Sequence, residues 1–167
     1  MKFRDCCIIL FLVLLLGGGC AEIRPVWKGS VKLDHYTLYY AEPLEFTIDV
    51  KELWAEKPLM LELALTYYVG MTRTNLPLFL VIEDPEHNLK EETVQIVLQE
   101  SGEWLGYPEE NEIDYTITHI AMKGLKLKSG QHTFRIYAND DDEEKIYGLV
   151  RVEARLFEFD NAPETGP

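Results

Sequence analysis

Apolar and polar residues alternate along most of this chain, and this period of two constrains its fold more than any other feature. Successive side chains of a β-strand point to opposite faces, so alternation is typical of a strand with one buried face. After residue 20, no segment shows the sustained 3.6-residue stripe of an amphipathic helix. Alternation is found in the segments 44–50, 61–67, 76–82, 94–98, 113–119, 134–138 and 146–156.

Seven or eight strands at this spacing predict an all-β fold. The expected architecture is an antiparallel β-sandwich, either immunoglobulin-like or jelly-roll. One segment, 76–82, differs from the others: Leu78 and Leu80 face one way, while Phe79 and Val81 make the opposite face apolar too. A strand that is apolar on both faces is typical of the middle of a sheet, so we expect 76–82 to be a central strand.

The first 19 residues have the composition of an export signal. Lys2 and Arg4 precede an apolar run at 8–16, which ends in three glycines at 17–19. The 14 uncharged residues at 6–19 are fewer than the roughly 18 that a membrane-spanning helix needs. This pattern predicts a signal peptide over 1–19 that is removed on export.

Cys20 directly follows these small residues and resembles the lipobox cysteine of bacterial lipoproteins, which is acylated and becomes the new N-terminus. Lipoboxes usually carry leucine three residues earlier, where this chain has Gly17. We predict lipidation of Cys20 and attachment to a membrane through that lipid; the alternative is ordinary secretion with cleavage after Ala21. Because Cys6 and Cys7 fall within the leader, the exported domain would contain no disulfide.

The mature chain is predicted to have three parts. Residues 20–35 show no sustained period and are expected to be a lipid-anchored tether, 36–160 form the β-sandwich, and 161–167 are a flexible tail. Trp27 is expected to tuck against the domain, because large aromatic side chains usually bury their area. The formal net charge of −13 repels phosphate backbones and therefore predicts that nucleic acid is not a partner.

Residues that could catalyse a reaction or bind a metal are few. The acidic run 140–144 lacks the alternating ligands and glycine bend of a calcium loop, so it is interpreted as a solvated turn. The four histidines form no HxH or HExxH pair, and no serine lies in a GxSxG elbow. Carboxylates crowd the loop 103–112, but a glycosidase needs two carboxyls held about 5–9.5 Å apart across a bond. We predict no enzymatic activity, no metal and no cofactor.

Several motifs resemble, in their order and spacing, the GldH-type gliding-motility lipoproteins. They are the Cys20 box, NLPLFL at 75–80 leading to Asp84 and Pro85, GEWLG at 102–106, GQHTF at 130–134 and VRVE at 150–153. The resemblance implies a lipid-anchored protein of the cell envelope that faces the periplasm, is held to the outer membrane, and is associated with gliding machinery and a linked secretion route. It carries over no catalytic residue. The chain departs from the family at Gly17, in the acidic run 140–144 and in its Pro-rich tail.

Two classes of non-catalytic function follow. The first is an assembly lipoprotein that binds or stabilises other envelope proteins through Trp104 and Leu105 or through an exposed strand edge. The alternative is a glycan partner, bound by a carbohydrate-binding sandwich that displays Trp54 or Trp104 as a stacking platform. A purely structural interpretation of Trp104 is that it plugs one end of the core, because Leu105 beside it is also apolar.

Overall fold

The computed structural model describes residues 24–139 and 145–159. The predicted signal peptide, Cys20, the acidic run 140–144 and the tail 161–167 lie outside the described residues, so the predictions for them stay predictions. Among the described residues, no helix has the length and apolar character needed to cross a membrane.

The described chain consists of antiparallel strands and one short 3₁₀ turn at Asp34–Tyr36. In chain order the strands are β1 (Trp27–Lys32), β2 (Thr37–Tyr39), β3 (Leu44–Val50), β4 (Leu59–Tyr68), β5 (Asn75–Glu83), β6 (Leu89–Val97), β7 (Gln99–Glu100), β8 (Glu103–Trp104), β9 (Tyr107–Pro108), β10 (Asp114–Leu125), β11 (Gly130–Ala138), β12 (Lys145–Tyr147) and β13 (Leu149–Glu158).

Two sheets enclose one hydrophobic core. One has the order β1-β13-β4-β10-β9 and the other the order β3-β11-β5-β6, while β2 pairs with β12 and β7 with β8. The first long strand therefore pairs with the last, and most consecutive long strands change sheet. This is the strand order of a jelly roll. The predicted all-β antiparallel sandwich is confirmed, and of the two topologies left open the strand order is that of the jelly roll.

The inner faces follow the alternation of the sequence. In β3, Phe46, Ile48 and Val50 are buried, and the residues between them are exposed. The prediction of a central strand at 76–82 is confirmed, because β5 lies between β11 and β6. Leu80 on its inner face is fully buried, and Val81 on its outer face is only 6% exposed.

The sandwich begins earlier in the chain than predicted. Trp27–Lys32, assigned to the tether by the sequence analysis, form β1, which pairs with β13 along its whole length. The ring of Trp27 meets Phe46 edge to face with centroids 6.2 Å apart, so the expectation that Trp27 tucks against the domain is confirmed. A Cβ on Gly29 would come within 2.7 Å of Phe46 and 2.8 Å of Trp27. Glycine is therefore required at position 29. The tether, predicted to extend to residue 35, ends before Trp27.

A ladder of charged side chains lies on the outer face of the five-stranded sheet. Glu62 on β4 and Glu153 on β13 are both buried. Arg155 donates from Nη1 to Glu62 at 3.1 Å and also binds Glu153, whose second oxygen lies 2.8 Å from Lys28 Nζ. Burial raises the pKa of Glu62 despite Arg155. Burial acts in the same direction on Glu153, but the hydrogen bonds and charges of Lys28 and Arg155 together hold its pKa below the usual value.

Candidate functional site

The outer face of the four-stranded sheet carries two partly exposed aromatic side chains. Phe79 on β5 and Tyr137 on β11 stand directly opposite each other in the ladder. Their ring centroids lie 6.1 Å apart and their planes are tilted by 47°. Cross-strand aromatic pairs of this kind stabilise a sheet. Because of the tilt, the two rings form an angled wall and not a single flat platform.

Arg135 lies in the next row of this face, between Glu45 on β3 and Val81 on β5. Its Nε donates to Glu45 Oε2 at 3.0 Å, and its Nη1 donates to Glu83 Oε2 at 2.8 Å. The hydrogen bond to Glu83, followed by that to Glu45, raises the pKa of the guanidinium. Two carboxylates thus hold the group in one orientation, and within the described chain no residue accepts a hydrogen bond from Nη2.

Glu83 is also held from its other side, by the turn that follows β5. His87 Nδ1 lies 2.6 Å from Glu83 Oε1. Asp84 Oδ1 accepts hydrogen bonds of 2.8 Å from the backbone N–H groups two and four residues later, which fixes the turn. The hydrogen bond with His87, and next that with Arg135, holds the pKa of Glu83 below its usual value. At neutral pH this side chain is therefore an ionised, oriented carboxylate.

These side chains line a groove of about 630 Å³, a volume within the roughly 300–1,000 Å³ typical of small-ligand sites. Tyr40, 52% exposed, lines it together with Phe79 and Tyr137. Glu91 on β6 stands opposite Val81 in the ladder and also lines the groove. Among the described residues, no partner binds its carboxylate. The groove thus combines an aromatic wall, a fixed hydrogen-bond donor and an unpaired acceptor.

Trp104 and Leu105, predicted to bind a partner, do not line this groove; they lie at the end of the β7–β8 hairpin. The Trp104 ring packs against the core, with its centroid 5.7 Å from that of Tyr67. The Tyr67 hydroxyl donates to the Leu105 carbonyl, and burial raises the pKa of Tyr67 to about 12. These contacts support the structural interpretation of Trp104, and the prediction that Trp104 and Leu105 bind a partner stays a prediction. Trp54 is only 5% exposed, so the expectation that it could stack on a sugar is wrong.

The carboxylate-rich loop 103–112 is joined to the five-stranded sheet through Glu109. Its side chain accepts a hydrogen bond from Thr116 and lies 3.4 Å from Arg151 Nη2. This carboxylate therefore connects the loop to β10 and β13. Within the ranges 24–139 and 145–159, no group of three or more His, Cys, Asp or Glu side chains is arranged to hold a metal ion.

The groove is formed by residues that were not predicted from the sequence as site residues: Phe79, Glu91, Arg135 and Tyr137. A signal was nevertheless present, because Phe79 and Val81 make the outer face of the 76–82 strand apolar. A two-layer sandwich has no third layer to cover such a face. An apolar outer face on a central strand of a sandwich therefore indicates a surface site as well as a position in the sheet.

Neither a protein-family model nor a curated protein matches the chain. Among solved structures, a family 35 carbohydrate binding module from Clostridium thermocellum is similar over 79% of this chain and 95% of its own, with 13% identity and a TM-score of 0.36. A fructofuranosidase from Schwanniomyces occidentalis is similar over 82% of this chain and 34% of its own (9% identity, TM-score 0.36). A structure of infectious bursal disease virus, Gx strain, is similar over 84% and 35% (13% identity, TM-score 0.28).

The chain spans about a third of the length of the last two of these proteins. Similarities at such TM-scores do not bear on what the groove binds.

Proposed function

We propose that this chain is a non-catalytic, lipid-anchored protein of the cell envelope whose jelly-roll domain binds carbohydrate in the groove on its four-stranded sheet. One observation carries the proposal: the aromatic wall of Phe79 and Tyr137 stands beside the oriented guanidinium of Arg135 and the unpaired carboxylate of Glu91.

This combination suits the chemistry of a sugar. Each sugar hydroxyl both donates and accepts hydrogen bonds, so a fixed donor and a free acceptor can be satisfied by one ring. The carbon-bound hydrogens of a sugar ring form an apolar face that packs against an aromatic side chain such as Phe79. Arg135 is already oriented by Glu45 and Glu83, so little rotamer freedom is lost when a ligand binds.

The lipid anchor is proposed at Cys20, for the reasons given by the leader. Each buried methylene of an acyl chain contributes about 0.8 kcal/mol, and two or more chains give stable attachment. Replacing the cysteine (Cys20→Ser) should move the protein from the membrane to the soluble fraction. Intact-mass analysis of the wild-type protein should show an acylated Cys20 at the N-terminus. A mature N-terminus at Ala21 or Glu22 would contradict the anchor.

The GldH-type resemblance supports a second proposal, an assembly role in which the protein holds other envelope proteins in place. The feature that favours it is β6, an edge strand of the four-stranded sheet whose outer backbone groups are available to a partner strand. However, β6 carries Lys90, Glu91 and Glu92, and charges on an edge strand discourage pairing. The carbohydrate function therefore comes first.

The carbohydrate proposal can be tested with the mature protein in detergent and an array of neutral oligosaccharides, followed by calorimetry on those that bind. Phe79→Ala and Arg135→Met should each weaken binding by about tenfold or more, equivalent to ~1.4 kcal/mol. The matched control is Leu53→Ala, which removes a side chain 77% exposed to solvent and outside the groove; it should bind like wild type.

Two results would contradict the proposal. One is that no oligosaccharide binds to folded protein. The other is that the Phe79 and Arg135 variants bind as tightly as the Leu53 variant. If, in addition, deletion of the gene impairs secretion or gliding and crosslinking on native membranes captures an envelope protein through β6, the assembly role takes its place.

A further inference from the structure

We infer that the groove selects its ligand by charge: it takes neutral sugars and sugars with a free amino group, and it excludes sugars that carry a carboxylate, sulfate or phosphate. This inference rests on the proposed carbohydrate function and specifies the class of sugar. It follows from how the charged side chains of the groove are paired.

Arg135, the guanidinium of the groove, is already neutralised. Its Nε and Nη1 donate to Glu45 and Glu83 at 3.0 and 2.8 Å. Bidentate recognition of a ligand carboxylate needs two parallel N–H donors of the fork, and here each edge that includes Nε or Nη1 is occupied. The N–H groups left are the two on Nη2 and the second one on Nη1, and each of them suits a neutral hydroxyl. An acidic sugar would have to displace a protein carboxylate that is already in place.

The remaining charge of the groove is negative. Glu91 has no partner among the described residues, and it lines the same groove as Glu83. Among the described residues that line the groove, Arg135 and His87 are both already bound to Glu83. An anionic ligand would therefore meet two carboxylates with no unpaired cation of the described lining to offset them, and like charges repel. The whole chain adds to this field with a formal net charge of −13.

A ligand ammonium finds the opposite environment. Phe79 is opposite Thr93, and Glu91 lies two residues before Thr93 on the same face of β6; such diagonal neighbours are within reach of long side chains. An ammonium bound to the Glu91 carboxylate can therefore lie over the ring of Phe79, and a cation within about 6 Å of an aromatic centroid is attracted to it. A sugar amine gains both the ion pair with Glu91 and the cation–π contact with Phe79. A neutral sugar still forms its hydrogen bonds with Arg135 and Glu91.

The test uses matched oligomers of glucose, galactose and mannose, each as the neutral sugar, the 2-amino derivative and the 6-carboxyl derivative. Binding to the mature protein in detergent is measured by calorimetry at pH 7. In any series that binds, the amino form should bind at least as tightly as the neutral form. The carboxyl form should bind about tenfold or more weakly, a difference of ~1.4 kcal/mol.

Glu91→Gln should remove the preference for the amino form, since glutamine keeps a carbonyl acceptor but loses the negative charge. The control is Glu92→Gln, which changes the net charge equally on the same strand but does not line the groove.

Equal affinity for the carboxyl and neutral forms would overturn the inference and leave carbohydrate binding intact. The same effect from both glutamine variants would also overturn it, by showing a general charge effect. Absence of binding in every series would overturn the proposed function and the inference with it.

Discussion

The ring of Trp104 lies 5.7 Å from that of Tyr67, tilted by 49°, and the backbone next to Trp104 accepts a hydrogen bond from the Tyr67 hydroxyl. The hairpin is therefore attached to the core through both its side chain and its main chain. We expect Trp104→Ala to lower the free energy of unfolding by about 2–3 kcal/mol, somewhat less than the 3–5 kcal/mol of a fully buried aromatic. Urea denaturation measures this loss. Affinity for a ligand of the groove should be unchanged in the folded variant; a loss of affinity at unchanged stability would show that Trp104 contributes to binding at the groove.

Leu80→Ala should be among the most destabilising changes in the four-stranded sheet. Leu80 is fully buried on the inner face of β5, so its removal should cost about 2–5 kcal/mol, from the lost burial and the cavity left behind. Leu53→Ala deletes the same atoms from a side chain that is 77% exposed, and it should stay within about 0.5 kcal/mol of wild type. Comparable losses for the two variants would be incompatible with the position of β5 in the sandwich.

Arg155→Met should destabilise the protein strongly at pH 7. It leaves Glu62 buried without the guanidinium that binds it at 3.1 Å, and breaking such a pair costs about 3–5 kcal/mol. Burial already raises the pKa of Glu62, and loss of Arg155 should raise it further. A raised pKa means that stability is retained at low pH and lost as the pH rises through that pKa. Urea denaturation of the variant should therefore show partial recovery from pH 7 to pH 5.

Arg151→Met is the matched control for this ladder, because Arg151 is the preceding outward-facing arginine of β13 and its ion pair with Glu109 is exposed. Exposed pairs contribute about 0–1 kcal/mol. If both arginine variants lose the same stability, the burial of Glu62 is not what makes Arg155 important.

The hydrogen-bonded ion pair between Arg135 and Glu83, called here the Arg135 clamp, should break only in acid. The hydrogen bond with His87, and next that with Arg135, holds the pKa of Glu83 below its usual value. A depressed pKa gives an interaction that is present above the ordinary glutamate value of about 4.3 and is lost as the pH falls through the folded pKa. The carboxyl carbon shift of Glu83, followed by NMR, should titrate below about pH 4.3. Titration at or above that value would show that the clamp does not form in solution.

Local patterns predicted most of the sandwich. The strands β3 and β5 could be recognised because buried residues recur at every second position in each, with Val81 of β5 buried in addition. β1 could not, since Gly29 occupies an inward-facing position where an apolar side chain would have completed the alternation. Its place in the sheet depends on the contact between Trp27 and Phe46, which lies outside the local sequence.

The groove could not be located from the sequence, because its parts are brought together by strand register. Phe79 and Tyr137 are far apart in the chain and meet only through the pairing of β5 with β11. Trp104 posed the opposite problem. The glycines on either side of it, Gly102 and Gly106, indicate a surface loop, whereas the packing of its ring depends on Tyr67 on a distant strand.

The pairing of the first strand with the last has a mechanical consequence. Within the described ranges, β1 lies at the edge of its sheet and pairs with β13 alone, and Trp27 at its start is opposite Leu156. Tension applied through the residues before Trp27 would load this ladder from one end, so its six residue pairs would open stepwise and would not resist shear together. The edge-to-face contact of Trp27 with Phe46 lies at the end of β1 to which the force is applied, so it would have to break before the strand pairs separate.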